Sequence, residues 1–152
     1  MQQAEDTGQA VNIAIVGQSG RLQYEALIFA ASLFANSPAT PRLFVAEPAQ
    51  GPLWPGNVAM QGPVRELLED LGARIVSFEA NHFGQAYPYG NKIEALFALP
   101  EGEPFVFFDT DTIVLDSLTR VPFDFDRPGA SLRVEGTWPQ IELYGPGYGA
   151  IW

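Results

Sequence analysis

A chain of 152 residues with 47% apolar and 17% charged side chains has room for one domain with a buried core and is too apolar for general disorder. Eight Lys and Arg against eighteen Asp and Glu leave a net charge of −10, which repels phosphate backbones and argues against nucleic-acid or anionic-membrane binding. The lack of cysteine excludes disulfides, thiolate metal sites and thiol nucleophiles, and a single histidine, His82, excludes multi-histidine zinc sites.

Residues 1–10 (MQQAEDTGQA) are polar and acidic and read as a flexible N-terminus, without the basic start and apolar run of a secretion signal. Residues 11–16 (VNIAIV) form a short β-branched run ending at Gly17, the pattern of a strand buried on both faces. The loop Gly17-Gln18-Ser19-Gly20 leads into a helix expected over residues 21–36, with Tyr24, Leu27, Ile28, Ala31 and residues 33–35 as its apolar contacts and Ser37-Pro38 as its stop. Its apolar run, residues 26–35, falls far short of the roughly 20 residues that cross a bilayer and reads as a buried helix. No membrane span is therefore expected, and the default location is the cytoplasm.

Residues 42–47 (RLFVAE) read as a second strand, and the proline- and glycine-rich stretch 48–63 as a loop. A helix is expected over 64–71, capped by Gly72, and a third strand over 73–78. Residues 90–99 (GNKIEALFAL) read as another helix, with Asn91 as N-cap and Pro100 beyond its end. A fourth, strongly apolar strand over 104–108 (PFVFF) runs straight into Asp109-Thr110-Asp111-Thr112, and a fifth strand is expected at 130–135. Strand–helix alternation of this kind points to an α/β fold: an open, mostly parallel sheet with helices on both faces. Ligands in such sheets collect at the carboxyl ends of the strands, which singles out the loop after the first strand and the acidic turn after the fourth.

Asp109 and Asp111 lie two apart directly after the apolar run. On strand geometry they project to one side, and two neighbouring carboxylates resist joint ionisation unless a cation lies between them. Oxygen-only ligation of that kind suits Mg²⁺ or Mn²⁺. A solvated acidic turn is the bland alternative.

Asn91-Lys92-Ile93-Glu94-Ala95-Leu96, then PFVFFDTDTIVLDSL over residues 104–118, with Tyr24 and Ala31-Ser32-Leu33 upstream, resembles the nucleotide-sugar-binding core of GT-A-fold glycosyltransferases, closest to the glycogenin-like family. The resemblance spans residues 12–121. It implies a Rossmann-like domain over 11–135 that binds a nucleotide-diphosphate sugar, a UDP-sugar in that family, with Mn²⁺ or Mg²⁺ as cofactor and an acceptor that no residue identifies. By the same resemblance Asp111 is the main metal ligand, and Asp109 shares the metal and the ribose. Thr110 lies in the same donor site, Lys92 sits near the nucleotide-sugar as a fixed charge, Tyr24 stacks on the base, and Gly17, Gln18 and Ser19 offer backbone groups.

Residues 136–152, rich in Gly, Pro and aromatics, then read as the start of an acceptor half. Each site residue also has a plainer reading: Lys92 as a solvated helix residue, Tyr24 as core packing, Gly17 to Gly20 as an ordinary turn. His82 precedes the acidic pair and reads as structural or solvated. Two other functions fit the acidic turn: a haloacid-dehalogenase-like phosphatase with Asp109 as nucleophile and Asp111 as general acid and base, or a nucleotide-binding domain without chemistry.

Overall fold

The computed structural model describes residues 11–37 and 41–129. Four strands form one all-parallel sheet in the order β3-β2-β1-β4: β1 (Asn12–Val16), β2 (Arg42–Pro48), β3 (Arg74–Phe78) and β4 (Phe105–Phe107). Helix α1 (Arg21–Asn36) joins β1 to β2, α2 (Gly62–Asp70) joins β2 to β3, and a short helix α3 (Asn91–Glu94) precedes β4. The expected fold class holds. The fifth strand at 130–135, the flexible start and the aromatic tail lie outside the described residues.

β1 is central because its run is apolar on both faces. Ile13 and Ile15 pack with Ala26, Phe29 and Leu33 of α1 and with Val64 and Leu68 of α2. Val16, on the opposite face, joins Ala46, Phe78 and Ala95. The first two crossovers run outward from β1 on one face. The third must return past β1 to reach β4, and a crossover of unchanged hand that reverses direction lies on the other face. This is why α3 and the turn Ala95–Ala98 cover the side that α1 and α2 leave open.

Four local expectations are corrected. The buried face of α1 is Gln23, Ala26, Phe29, Ala30 and Leu33, whereas Tyr24 and Ile28 are 50% and 54% exposed and Ala31 and Ala35 are also exposed. The helix is apolar on most sides, so periodicity could not select its inner face. Gln23 is admitted to the core because its Oε1 accepts the Gln61 amide at 2.8 Å.

Asn91 is not an N-cap. The chain enters α3 from the 3₁₀ turn Pro88–Gly90 already in helical geometry, which leaves the Asn91 side chain free for a distant bond. The helix expected over 90–99 is α for only four residues and continues as the 3₁₀ turn Ala95–Ala98. Finally, β4 is three residues long and partly exposed, an edge strand among the described residues rather than a buried one.

Gly72 caps α2 as expected: at φ 103° its N–H donates to Glu69 O while Ala73 N–H donates to Leu68 O, the paired bonds of a Schellman motif. Among the described residues no helix is long and apolar enough to cross a membrane.

Candidate functional site

The strand order reverses between β1 and β4, and in open parallel sheets such a switch point, at the carboxyl ends of the strands, is where ligands bind. Both stretches singled out from the sequence are there. After β1 the backbone turns at Gly17, whose N–H donates to Ala46 O at 2.9 Å. A Cβ at Gly17 would lie 2.5 Å from Val45 Cγ1 and 2.7 Å from Met60 Sδ, so only glycine lets the loop leave the sheet this closely packed. Ser19 N–H donates to Val58 O, also at 2.9 Å. Of the backbone groups that Gly17, Gln18 and Ser19 were expected to offer, the Gly17 and Ser19 amides are thus already engaged, and the carbonyls and the Gln18 amide remain.

After β4 the ladder continues one bond further, from Phe108 N–H to Ala14 O at 3.0 Å, and Phe108 packs its ring 5.6 Å from that of Phe29. There the strand stops: Thr112 N–H donates to Asp109 O at 3.1 Å and closes a turn. Asp109 and Asp111 therefore sit on a turn, and strand alternation does not set their relation as expected. What aims this turn is Thr110, 6% exposed, whose hydroxyl donates to Val16 O at 2.9 Å. The β1–β4 register, carried on by one step, would bring the Thr110 amide to that carbonyl. The side chain supplies the bond instead, and the flanking aspartates are left exposed.

Behind the turn the chain runs along α1 and is tied down by its side chains. Ser32 Oγ accepts from Val114 N–H at 3.0 Å, Asn36 Nδ2 donates to Val114 O at 2.9 Å, and Ser37 Oγ accepts from Leu118 N–H at 3.1 Å. Val114 is buried in the core. A loose acidic tripeptide is thereby held between β1 and α1, which is how a surface turn acquires a defined position.

The third component is α3. Lys92 Nζ lies 2.6 Å from Asp109 Oδ1 and 5.7 Å from the centre of the Tyr89 ring. Asn91, 2% exposed, donates from Nδ2 to Gln18 Oε1 at 3.2 Å and so fastens α3 to the first loop. The structure thus brings Gly17, Gln18, Ser19, Lys92, Asp109, Thr110 and Asp111 to one edge of the sheet. Tyr24, in the first turn of α1, is half exposed and is not a core residue. His82 is exposed, and its backbone N–H donates to Glu94 Oε1 at 2.9 Å.

Asp109 and Asp111 offer hard oxygen ligands, and Asp109 already accepts a cation in the Lys92 ammonium. Among the described residues no three His, Asp or Glu side chains gather around a metal position. An ion held by this pair would complete its shell with phosphate oxygens and water, the usual habit of Mg²⁺ sites.

Sequence reasoning missed several residues. Asn91, Ser32 and Asn36 act through bonds to distant segments, for which no sequence signal exists. Glu47, buried at the end of β2, accepts the Met60 amide at 2.7 Å and pairs with Arg65, so it anchors the proline-rich loop. A charge directly after the apolar run 43–46 was its only legible sign. Along the same edge, at the ends of β2 and β3, Gln50, Trp54, Glu79 and Asn81 line a cavity of about 170 Å³.

An open parallel sheet whose switch point carries an acidic turn bonded to the end of β1, beside a helix bonded to the loop after that strand, defines a Rossmann-like α/β domain. The family is narrower: a model described as the Rhodobacterales glycosyltransferase domain matches residues 13–152, and the chain belongs to that family. No curated protein and no solved structure matches it. Membership bears out glycosyl transfer as the class of reaction, with a sugar donor and an acceptor, over the phosphatase reading.

Proposed function

We propose that this chain is the donor-binding part of a metal-dependent glycosyltransferase of GT-A type, akin to the glycogenin-like group, which holds a nucleotide-diphosphate sugar, a UDP-sugar, at the β1–β4 switch point with Mn²⁺ or Mg²⁺. One observation carries the reading: at that point the acidic turn is bonded to the end of β1 (Thr110 to Val16), α3 is bonded to the first loop (Asn91 to Gln18) and to the turn (Lys92 to Asp109), and Asp109 and Asp111 stay exposed. A chain with net charge −10 repels a diphosphate, so local cations are needed where it binds.

Asp109 and Asp111 would hold the ion, which when bound supplies Lewis-acid neutralisation of the diphosphate. Lys92, released from Asp109, adds a second positive charge on the donor side. Thr110 fixes the angle of the turn against β1. Tyr24, exposed beside the first loop, offers a ring on which a base can stack. The buried Asn91 keeps α3 and the loop at constant separation, so that both grip the same molecule.

Calorimetry tests the reading. UDP should bind in the presence of Mn²⁺ or Mg²⁺ and not in EDTA, and Asp111→Ala should abolish binding. The melt should stay nearly unchanged, because Asp111 is exposed and makes no ion pair among the described residues. Metal-independent UDP binding, or an Asp111→Ala protein that binds as the parent does, overturns it.

A further inference from the structure

Between β3 and α3 three aromatic rings lie in a row, the first pair tilted and the second edge to face. Phe83 and Tyr87 have centroids 5.8 Å apart at 55°, and Tyr87 and Tyr89 are again 5.8 Å apart at 61°. Tyr87 is 53% exposed and Tyr89 69%, unusual for rings of this size. The row ends at the Lys92 ammonium, 5.7 Å from the Tyr89 ring centre, which in turn pairs with Asp109. The rings are therefore linked to the acidic turn through Lys92.

The backbone beneath the rings is firmly held. Glu94, 2% exposed, accepts the amides of Asn81 and His82 at 2.6 and 2.9 Å, and Gln85 N–H donates to Leu53 O at 2.9 Å. Phe83 packs so tightly on Gly90 that a Cβ there would collide with its ring. Folding free energy goes into fixing this loop, and what it presents is two tyrosine faces in solvent. Tyrosine loses little conformational entropy on binding, so such a surface is preorganised for a ligand.

The surroundings decide the ligand's chemistry. A purely apolar partner would meet an ammonium and a carboxylate at the row's end, both costly to bury. A pyranose matches both parts: its C–H face lies on an aromatic ring, and its rim of hydroxyls needs donors and acceptors of the kind that phenol, ammonium and carboxylate groups supply. We infer that Tyr87 and Tyr89 form a stacking platform for a sugar ring of the acceptor, so that the acceptor of this glycosyltransferase is itself a saccharide. The inference rests on the donor site proposed above.

Saturation-transfer NMR on the full chain, with methyl α-glucopyranoside, methyl β-galactopyranoside and maltohexaose as probes, tests it. Ring C–H protons of at least one probe should receive saturation from the parent protein. Tyr87→Ala and Tyr89→Ala should each cut that signal by about fivefold, as expected for loss of a stacking partner, while Tyr24→Ala leaves it unchanged. UDP affinity with Mn²⁺ should stay within about twofold in Tyr87→Ala, whose ring packs on Phe83 and Tyr89. No transfer to any probe, or transfer unaffected by both substitutions, overturns the platform. Loss of UDP binding in Tyr87→Ala overturns it too, because that ring would then serve the nucleobase. A parent that binds a glycoside but not UDP refutes the donor reading alone, and one that binds UDP but no glycoside refutes the platform alone.

Discussion

The Thr110 hydroxyl offers the sharpest test of how the acidic turn is aimed. Thr110→Val keeps the shape of the side chain and removes only the donor to Val16 O, so no cavity forms and no new group is buried unpaired apart from that carbonyl. Both residues are 6% exposed, so water cannot readily replace the bond. Leaving a buried acceptor without its partner costs about 1–3 kcal/mol. At about 2–4 °C per kcal/mol for a chain of this size, the midpoint should fall by about 6 °C. Thr110→Ser, which keeps the hydroxyl, should melt closer to the parent. Thermal melts followed by circular dichroism measure the difference, and UDP titration in Mn²⁺ reports whether the loosened turn also binds less well. If the valine variant melts with the parent, the side chain is not what joins the turn to β1, and the account of the site's construction is wrong.

Three further outcomes follow from the same geometry. Gly17→Ala forces a Cβ into Val45 and Met60 and should cost about 1–3 kcal/mol, seen as a lower urea midpoint with unchanged slope. Lys92→Ala frees Asp109 from an exposed ion pair worth at most about 1 kcal/mol, so Mn²⁺ titrated in the absence of nucleotide should bind about two- to fivefold tighter; weaker binding would show that Lys92 does not compete for that carboxylate. Glu103 is held below its ordinary pKa of 4.5, first by the hydrogen bond from the Asn12 side chain and then by Arg42. A depressed carboxylate stabilises the fold above its unfolded pKa and loses that contribution as pH falls through its folded value. Glu103→Gln should therefore melt below the parent at pH 7, with the gap closing as pH drops below 4.5; a gap that widens in acid contradicts the linkage.

Much of this architecture is legible in the sequence because its signals are local. Runs such as residues 13–16 and 43–46 are apolar without a break, and a strand buried on both faces requires no other pattern. Gly72 announces the end of α2 because a left-handed cap is cheap only for glycine. The acidic turn was visible for the same reason: a charged tripeptide that interrupts an apolar strand marks the carboxyl edge wherever the strand lies in the sheet. Where local signals were ambiguous the reading failed. α1 is apolar nearly all round, so nothing in its sequence sets Gln23 inward and Tyr24 outward; the Gln61 amide did that from 38 residues away.

Tertiary structure alone decided that β4 lies beside β1, and hence that the two candidate loops meet. The bonds that make them one site span 94 residues between Val16 and Thr110 and 73 between Gln18 and Asn91. A side chain's bond to a distant backbone leaves no trace in neighbouring residues. Asn91 reads as a cap and Thr110 as a turn residue until the chain has closed on itself, and only the return crossover, forced to the opposite face by its hand, brings each to its partner.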